Sequence, residues 1–223
     1  HSQNLQAWFA HIPGLKVVMP SSPYDAKGLL ISSIFDKNPV VFLEHRWLHN
    51  AIGEVPETDY MVPIGEAKKI TEGDDITVIS MSYMTLEARI AEKYLRSKDI
   101  KIELIDLRSV KPIDYNMIYD SVRKTKRLLV LDTGYTTCSL AAEIITSVCT
   151  NCFSDLCQAP SRMAMPDVPE PTSYGLTKNF YIRASDIANR VLEILEIRGI
   201  NPSFDIPEPV PHDIPGEWFK GPF

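Results

Sequence analysis

Short, continuous apolar runs alternate with amphipathic stretches along most of this chain. The runs LKVVM (15–19) and VVFLE (40–44) lie on either side of a segment that begins with SPYD (22–25). That segment has a serine suited to an N-cap, a proline at the first helical position and an acidic residue in the first turn. Strands that are buried on both faces have continuous apolar patterns. Residues 15–44 therefore predict one βαβ unit with a right-handed crossover.

A second and longer alternation follows residues 46–65, which lose the pattern and contain Gly and Pro. Its apolar runs predict strands, and its amphipathic runs predict helices. Strands that alternate with helices indicate the α/β class, with a mostly parallel sheet and helices on both faces. The predicted strands are 76–81, 100–107, 127–132 and 161–165, and the predicted helices are 85–98, 114–125 capped by Asp114, 139–151, and 185–197 begun by Ser185.

The alternation divides the chain into three parts, 1–62, 63–200 and 201–223. One βαβ unit cannot cover both edges of its own sheet, so the first part is predicted to be the rear of a larger domain whose front half is missing. The second part has enough elements to bury a core. The third part is rich in proline, which predicts an extended arm lying on a surface.

Charge and hydropathy argue against two classes of partner, nucleic acids and membranes. The net charge is −6, and the only basic cluster is RKTKR at 123–127, so nucleic acid is not an expected partner. No apolar run approaches the ~18 residues that cross a bilayer, so no membrane contact is expected.

Cys149 and Cys152 form a CxxC pair near the end of a predicted helix. A redox pair usually sits at a helix start, and a zinc site needs further ligands nearby. Packing cysteines are the favoured interpretation, with a metal or redox role as the alternative. Reduced thiols favour a cytoplasmic location.

Five ordered segments of the chain carry a resemblance to a known family. They are HSQ (1–3), AWFAHIPGLKVVMPSSPYDAKGLL (7–30), DKNPVVFLE (36–44), PIGEAKKITEGDDITVIS (63–80) and IELIDLRSVKPID (102–114). Together they resemble the beta subunits of thiamine diphosphate-dependent 2-oxo acid dehydrogenases of the pyruvate and branched-chain type, in the transketolase superfamily.

The resemblance implies that residues 1–62 are the C-terminal part of a pyrimidine-binding domain and that residues 63–200 are a transketolase C-terminal domain. It also implies that thiamine diphosphate and magnesium are held largely outside this fragment, by an alpha subunit and by the missing front half. A heterotetramer with that alpha subunit and a second beta subunit is expected, and an acyltransferase core is a further possible partner. The fragment alone is therefore expected to be inactive and to contain no cofactor-binding residue.

The resemblance implies one catalytic residue, His1 of the HSQ motif, near the substrate and the incoming lipoyl group. An imidazole can donate to a developing alkoxide or shuttle a proton near pH 7. His11 is interpreted as a helix-end or core residue. The other three histidines lie in the linker and the tail and are interpreted as surface residues: His45, His49 and His212.

The turn SIFDKNP (33–39) resembles a turn that binds a structural potassium ion in related beta subunits. A helix C-terminus exposes unpaired carbonyls, and an all-oxygen cage suits a hard cation. An ordinary Asx turn without an ion is the alternative. Carried over by position, the potassium ligands are the carbonyls of Ser33 and Ile34 and the side-chain oxygens of Asp36 and Asn38.

Two further motifs bear on the resemblance. Arg108 follows a buried strand in DLRSVKPID, where it could project into a ligand crevice, although a tie to Asp114 or to a partner chain is favoured. In DTGYTTCSLAAEI (132–144), Ser139 and Ala141 stand where the family has glycines. These departures indicate a divergent member.

Three functions remain open. The leading hypothesis is an enzyme component, an oxidoreductase subunit that decarboxylates a 2-oxo acid on thiamine diphosphate and passes the acyl group onward. The first alternative is a non-catalytic module for subunit assembly and docking. The second is a transketolase-like or deoxyxylulose phosphate synthase-like enzyme, which carries both cofactor halves on one chain.

Overall fold

A computed structural model describes residues 3–221. The helices are α1 (Gln6–Ala10), α2 (Pro23–Phe35), α3 (Tyr83–Arg96), α4 (Tyr115–Thr125), α5 (Leu140–Cys152), α6 (Ala184–Ile194) and α7 (Pro202–Asp205). The strands are β1 (Lys16–Val18), β2 (Val40–Phe42), β3 (Lys68–Thr71), β4 (Ile76–Ser80), β5 (Ile102–Asp106), β6 (Ser109–Lys111), β7 (Leu128–Tyr135) and β8 (Ser161–Met165). Within residues 3–221, no helix is long and apolar enough to cross a membrane.

The predicted βαβ unit is confirmed in a small sheet with the strand order β2-β1-β6. Strands β1 and β2 are parallel and are connected through α2. The Ser22 hydroxyl accepts a hydrogen bond from the Asp25 backbone N–H at 3.2 Å, and Pro23 is the first helical residue. The helix therefore begins where its N-cap sequence predicts.

The third strand of this sheet comes from the second part of the chain. Strand β6 pairs antiparallel with β1, with Val17 opposite Lys111 and Val18 opposite Ser109. The sequence does not predict this strand, because its three residues follow a buried strand directly and show no pattern of their own. Its pairing covers one edge of the βαβ unit, so the two parts of the chain share a sheet.

A five-stranded sheet has the order β3-β5-β4-β7-β8. Its last four strands are parallel, and β3 pairs antiparallel with β5 at one edge. All residues of β4 and β5 are buried, as their continuous apolar patterns predict. The sequence does not predict strand β3, because three of the four residues in KKIT are polar and the strand is partly exposed. The α/β class with a mostly parallel sheet is confirmed.

The helices lie on both faces of the larger sheet and form two cores. One core packs α3 and α6 against the sheet through residues such as Leu95 and Val191. The other packs α4 and α5 through residues such as Ile118 and Ile144, and it also contains Val17 of β1. The two sheets therefore share a core, and the division of the chain near residue 62 stays a prediction.

Two predictions about the C-terminal region are wrong in detail. Helix α6 is not begun by Ser185: its N-cap is Arg183, whose backbone N–H donates to the Asp186 carboxylate at 2.8 Å. The tail is not only an extended arm, because it contains the short helix α7. The tail packs on the body, since Asp205 accepts a hydrogen bond from the Tyr94 hydroxyl at 2.7 Å and Ile206 is buried.

Candidate functional site

A cavity of about 360 Å³ opens where the two parts of the chain and the tail meet. We call it the junction cavity. The segment after β2, the start of α3, the loop after β8 and the tail all contribute to its walls. Its aromatic lining consists of Trp47, Tyr83, Tyr181 and Phe219, and its polar lining includes Gln3, Glu44, His45, Thr133 and Asp213.

His45 is one wall of this cavity, so its interpretation as a surface residue is wrong. Its ring stacks on Tyr83 with centroids 5.2 Å apart and meets the edge of Trp47 at 5.8 Å. Burial lowers the pKa of His45 to about 4, with a smaller contribution from His49. Its Nδ1 accepts a hydrogen bond from the Trp47 backbone N–H at 3.2 Å, which places the proton of the neutral ring on Nε2.

Arg183 connects the cavity to the body and to the tail. Its guanidinium forms a buried ion pair with Glu87 at 3.3 Å and donates to the Tyr83 hydroxyl at 2.9 Å. It also donates to two tail carbonyls, those of His212 at 2.6 Å and Ile214 at 2.9 Å. The same group lies over the Trp47 ring at 5.1 Å. One buried cation therefore joins α3, the tail and the segment after β2.

His212 is also misinterpreted as a simple surface residue. Its Nε2 lies 3.0 Å from the Thr177 hydroxyl and 2.9 Å from the Tyr174 carbonyl. Its ring packs against the Tyr174 ring with centroids 4.0 Å apart. The histidine thus attaches the tail to the loop after β8. His49 is exposed and His11 ends α1, as the sequence indicates.

Arg108 forms a second buried connection between the two parts of the chain. Its Nη1 pairs with the Asp25 carboxylate at 3.1 Å, and its Nη2 donates to the Glu66 carbonyl at 2.9 Å. The predicted tie to Asp114 is wrong, because Asp114 instead caps α4 and accepts from the Ala67 N–H at 3.1 Å. In the structure, the ion pair with Asp25 connects Arg108 to α2.

Asp132 lies in the buried part of β7, and its carboxylate is hydrogen-bonded to the start of α5. Its carboxylate accepts hydrogen bonds from Gln6 Nε2 at 2.7 Å, from the Gly134 N–H at 2.8 Å and from the Ala141 N–H at 3.0 Å. A Cβ at Gly134 would lie 2.8 Å from Gln6 Nε2, so glycine permits this approach. Burial raises the pKa of the Asp132 carboxyl, and the hydrogen bonds that the carboxylate accepts act in the opposite direction. Ser139, where the resemblance implies a glycine, is the N-cap of α5.

The predicted catalytic residue, His1, lies outside the described residues. Gln3, two positions later, lines the junction cavity. The cavity lining therefore includes the last residue of the HSQ motif, to which His1 belongs. The assignment of His1 stays a prediction.

The predicted potassium turn adopts the geometry of an Asx turn. Asp36 Oδ1 accepts from the Asn38 backbone N–H at 2.8 Å and from its side-chain amide at 3.1 Å. Asp36 Oδ2 pairs with the Lys16 ammonium. The Lys16 and Asn38 hydrogen bonds lower the pKa of Asp36 to about 2. The Ser33 hydroxyl donates to the Leu29 carbonyl at 2.7 Å. Since α2 ends at Phe35, the carbonyls of Ser33 and Ile34 lie in its last turn. The oxygens that potassium would need are present, but Lys16 already neutralises the carboxylate.

The four cysteines are free thiols. Cys149 and Cys152 lie in the last turn of α5, where the helix dipole does not favour a thiolate. Burial raises the pKa of the Cys152 thiol. These features favour packing over redox chemistry.

Two family models match the chain. The model of the transketolase C-terminal domain matches residues 65–187, and the model of the transketolase pyrimidine-binding domain matches residues 1–50. The chain belongs to the transketolase family. The junction cavity of this transketolase-family chain therefore takes residues from both matched regions, and the tail lies beyond both.

Curated relatives make the resemblance more specific. The chain is 40% identical over 188 residues to the beta subunit of the acetoin:2,6-dichlorophenolindophenol oxidoreductase of Cupriavidus necator, which covers 84% of this chain and 56% of the relative. It is 38% identical to the pyruvate dehydrogenase E1 beta subunit of Mesostigma viride, over 87% of this chain and 60% of that protein. It is also 38% identical to the 2-oxoisovalerate dehydrogenase beta subunit of Bacillus subtilis, over 88% of this chain and 61% of that protein.

The chain thus spans somewhat over half the length of these relatives. Among solved structures, a split-gene transketolase described as an inactive beta4 tetramer matches with a TM-score of 0.71 and 20% identity. The match covers 87% of this chain and 61% of that chain. At this identity the likeness concerns the fold, which agrees with the sheet order and helix layers described above.

Sequence reasoning missed the aromatic residues of the cavity. Trp47 lies in a segment without periodicity, and Tyr83 and Tyr181 are 98 residues apart, as their numbering shows. Nothing in the local pattern brings these rings together. The available signal was the concentration of aromatic and basic residues in RWLHN (46–50) and FYIR (180–183), in stretches that had no assigned element.

Proposed function

We propose that this chain is part of the beta subunit of a thiamine diphosphate-dependent 2-oxo acid dehydrogenase that acts together with an alpha subunit. The observation that carries the proposal is its identity of about 40% to beta subunits of this type over more than four fifths of the chain. The fold, with a transketolase C-terminal domain behind a pyrimidine-binding segment, is consistent with this role.

Thiamine diphosphate with magnesium would supply the carbanion chemistry for decarboxylation. Within residues 3–221 no group of three or more His, Cys, Asp or Glu side chains is placed to hold a metal ion. We propose that the alpha subunit holds the diphosphate and the magnesium. The contribution of this chain is to close the reaction cleft and to present His1 as a proton donor and acceptor near the substrate.

The test uses the full-length beta subunit with its alpha partner, thiamine diphosphate and magnesium. Reduction of 2,6-dichlorophenolindophenol is followed with pyruvate, 2-oxoisovalerate and acetoin, because the relatives named for these substrates are equally similar to this chain. Each turnover of pyruvate with water yields acetate and CO₂, and two electrons pass to the dye. Absence of dye reduction with all three substrates would contradict the proposal.

The role of His1 has its own test in the same assay. Replacement of His1 by Gln in the full-length subunit removes the titrating group but keeps a hydrogen-bonding side chain. We expect kcat to fall by about 10²-fold, as for the loss of a general acid–base group. His11→Gln, at the exposed end of α1, is the matched control and should retain activity. Equal activity of the two variants would argue against a catalytic His1.

The partners follow from the same proposal. A beta subunit of this type would pair with an alpha subunit and a second beta subunit, and it could dock on an acyltransferase core. Strand β2 is an edge strand among the described residues, so it offers backbone groups for further pairing. If the protein assembles with its partners but shows no thiamine-dependent activity, the assembly function is the better description.

We also propose the turn at Ser33, Ile34, Asp36 and Asn38 as a potassium site that forms when Lys16 is displaced. The test compares thermal unfolding in potassium and sodium chloride at equal ionic strength, for the chain and for Lys16→Met. A potassium-specific increase in Tm that is larger in Lys16→Met would support the site. Equal Tm values in both salts for both proteins would exclude it, and the turn would then be an Asx turn held by Lys16 and Asn38.

A further inference from the structure

A buried hydrogen bond ties the segment that follows the HSQ motif to the larger sheet. Gln6, the first residue of α1, is 1% exposed, and its Nε2 donates to Asp132 Oδ1 at 2.7 Å. Asp132 is fully buried in β7, an inner strand of the larger sheet. The contact therefore joins the first part of the chain to the centre of the second part.

Asp132 is itself fixed by backbone groups on its other sides. Its Oδ1 also accepts from the Gly134 N–H at 2.8 Å, and its Oδ2 accepts from the Ala141 N–H at 3.0 Å. Ala141 is the second residue of α5, where backbone N–H groups have no partner within the helix. The acceptor that Gln6 contacts is therefore held in place by both β7 and α5.

The backbone of β7 also approaches this segment closely. A Cβ at Gly134 would lie 2.8 Å from Gln6 Nε2 and 3.6 Å from the Asn4 carbonyl oxygen, and glycine permits this approach. Gln3 and Asn4 line the junction cavity together with Thr133 of β7, whereas Gln6 is not among the described lining residues. Gln6 thus lies behind the cavity wall and fixes the course of the segment that forms it.

Stability alone does not account for a glutamine at this position. Among residues 3–221, the Gln6 Oε1 has no hydrogen-bond partner, although the side chain is buried. A buried oxygen without a partner costs free energy of the same order as a single hydrogen bond gains. What the glutamine adds is a directional contact with Asp132, which an apolar side chain of the same length could not make.

The rest of α1 is docked without this contact. Ala10 belongs to the core that the two sheets share, and Ala7 and Phe9 pack against that core. Loss of the Gln6 hydrogen bond is therefore expected to release residues 3–6 while α1 stays in place.

We propose that Gln6 and Asp132 are positioning residues for His1. The inference rests on the proposed function, in which His1 is the proton donor and acceptor near the substrate. Proton transfer needs heavy atoms within about 3 Å of each other, and a displacement of about 1 Å can lower a rate by about 10²-fold. The pair acts through His1, because it fixes the segment that begins two residues after this histidine.

Gln6→Met in this chain tests the contact itself. Methionine has about the same length, removes the donor and leaves the two backbone hydrogen bonds of Asp132 in place. We expect amide hydrogen exchange in residues 4–8, followed by mass spectrometry, to become about tenfold faster, while exchange in α5 is unchanged. Gln158→Met is the matched control, since it removes a glutamine donor to the Ile194 carbonyl at 2.8 Å outside the cavity lining. Circular dichroism verifies that both variants fold.

A second test measures dye reduction by the full-length beta subunit with its alpha partner. We expect Gln6→Met to lower kcat by about tenfold and to leave KM unchanged, because a displaced proton donor slows the chemical step while substrate contacts remain. In the His1→Gln background the same replacement should lower kcat no further, since no imidazole is left to position. A purely structural effect would be equal in both backgrounds. Gln158→Met should retain the kcat of the unmodified enzyme.

Dye reduction by the unmodified enzyme and its loss in His1→Gln test the proposed function and are measured first. Where both hold, three results would each overturn the inference: unchanged exchange in Gln6→Met, an unchanged kcat, or a loss of kcat that is equal with and without His1. The exchange measurement needs no substrate and no partner, so it tests the contact even in an inactive protein. The two proposals therefore fail separately.

Discussion

At the residue scale, burial sets the charge state of two groups in opposite directions. Asp106 is fully buried at the end of β5, and burial raises its pKa to about 6, although the Ser21 hydroxyl and the Arg108 N–H donate to it. Asp25 is a further negative group near it. His45 is held neutral, with its pKa lowered to about 4. Both groups therefore titrate differently in the folded and the unfolded chain.

The two shifts have opposite effects on stability between pH 4 and pH 6. The folded state binds more protons at Asp106 than the unfolded state, so this group lowers stability as pH rises through that range. The folded state binds fewer protons at His45, so that group raises stability as pH rises. In the unmodified chain the two contributions partly cancel.

Asp106→Asn removes the contribution of Asp106 and leaves that of His45. We expect the free energy of unfolding of this variant, relative to the unmodified chain, to increase by about 2–3 kcal/mol between pH 4 and pH 6. His45→Gln should show the reverse trend. Urea unfolding at three pH values measures both, with the exposed His11→Gln as the control. Parallel pH profiles for all four proteins would show that neither shift contributes to stability.

At the element scale, the N-caps of α2 and α4 were predicted correctly, whereas the start of α6 and the edge strands β3 and β6 were not. The N-caps Ser22 and Asp114 act where the sequence places them, because a cap is a local interaction between neighbouring residues. Strands β3 and β6 are held by pairing with distant strands and have no apolar pattern of their own. Propensity alone does not identify such strands.

Ser139 gives a direct test at this scale. Its hydroxyl accepts from the Ala142 N–H at 3.1 Å, so Ser139→Ala should lower the free energy of unfolding by about 1 kcal/mol. Ser139→Gly, which restores the residue expected from the family resemblance, should cost only a few tenths of a kcal/mol. Thermal or urea unfolding measures both. Ser173→Ala, in an exposed loop, should change little, and an equal loss in that control would remove the case for capping.

At the scale of the whole molecule, the two parts of the chain are joined by a shared core and by buried charges. Val17 and Met19 pack in the same cluster as Ile79 and Ile105 of the larger sheet. The Arg108 ion pair crosses the same boundary. A buried ion pair is tolerated only where the surrounding fold holds both charged groups in place.

Arg108→Met tests this connection. It leaves the Asp25 carboxylate, whose side chain is 1% exposed, with the Lys68 ammonium at 3.6 Å as its nearest cation among the described residues and the Ser22 hydroxyl at 2.6 Å as a hydrogen-bond donor. We expect a loss of about 3–5 kcal/mol in the free energy of unfolding. Lys68→Met, which removes the exposed partner of the same carboxylate, should cost about 1 kcal/mol or less. Equal losses for the two variants in urea unfolding would show that Arg108 has no special role.

The sequence alone determined the class, most strands and helices of the larger sheet, the βαβ unit and the resemblance to the transketolase family, because periodicity, caps and short motifs are local. It did not determine the role of Arg108, the environment of His45 or the course of the tail. The tertiary structure decided these, along with the junction cavity. Each depends on residues far apart in the chain that meet only when two sheets and the tail pack together. Burial then changes the chemistry of those side chains, and no local pattern records this change.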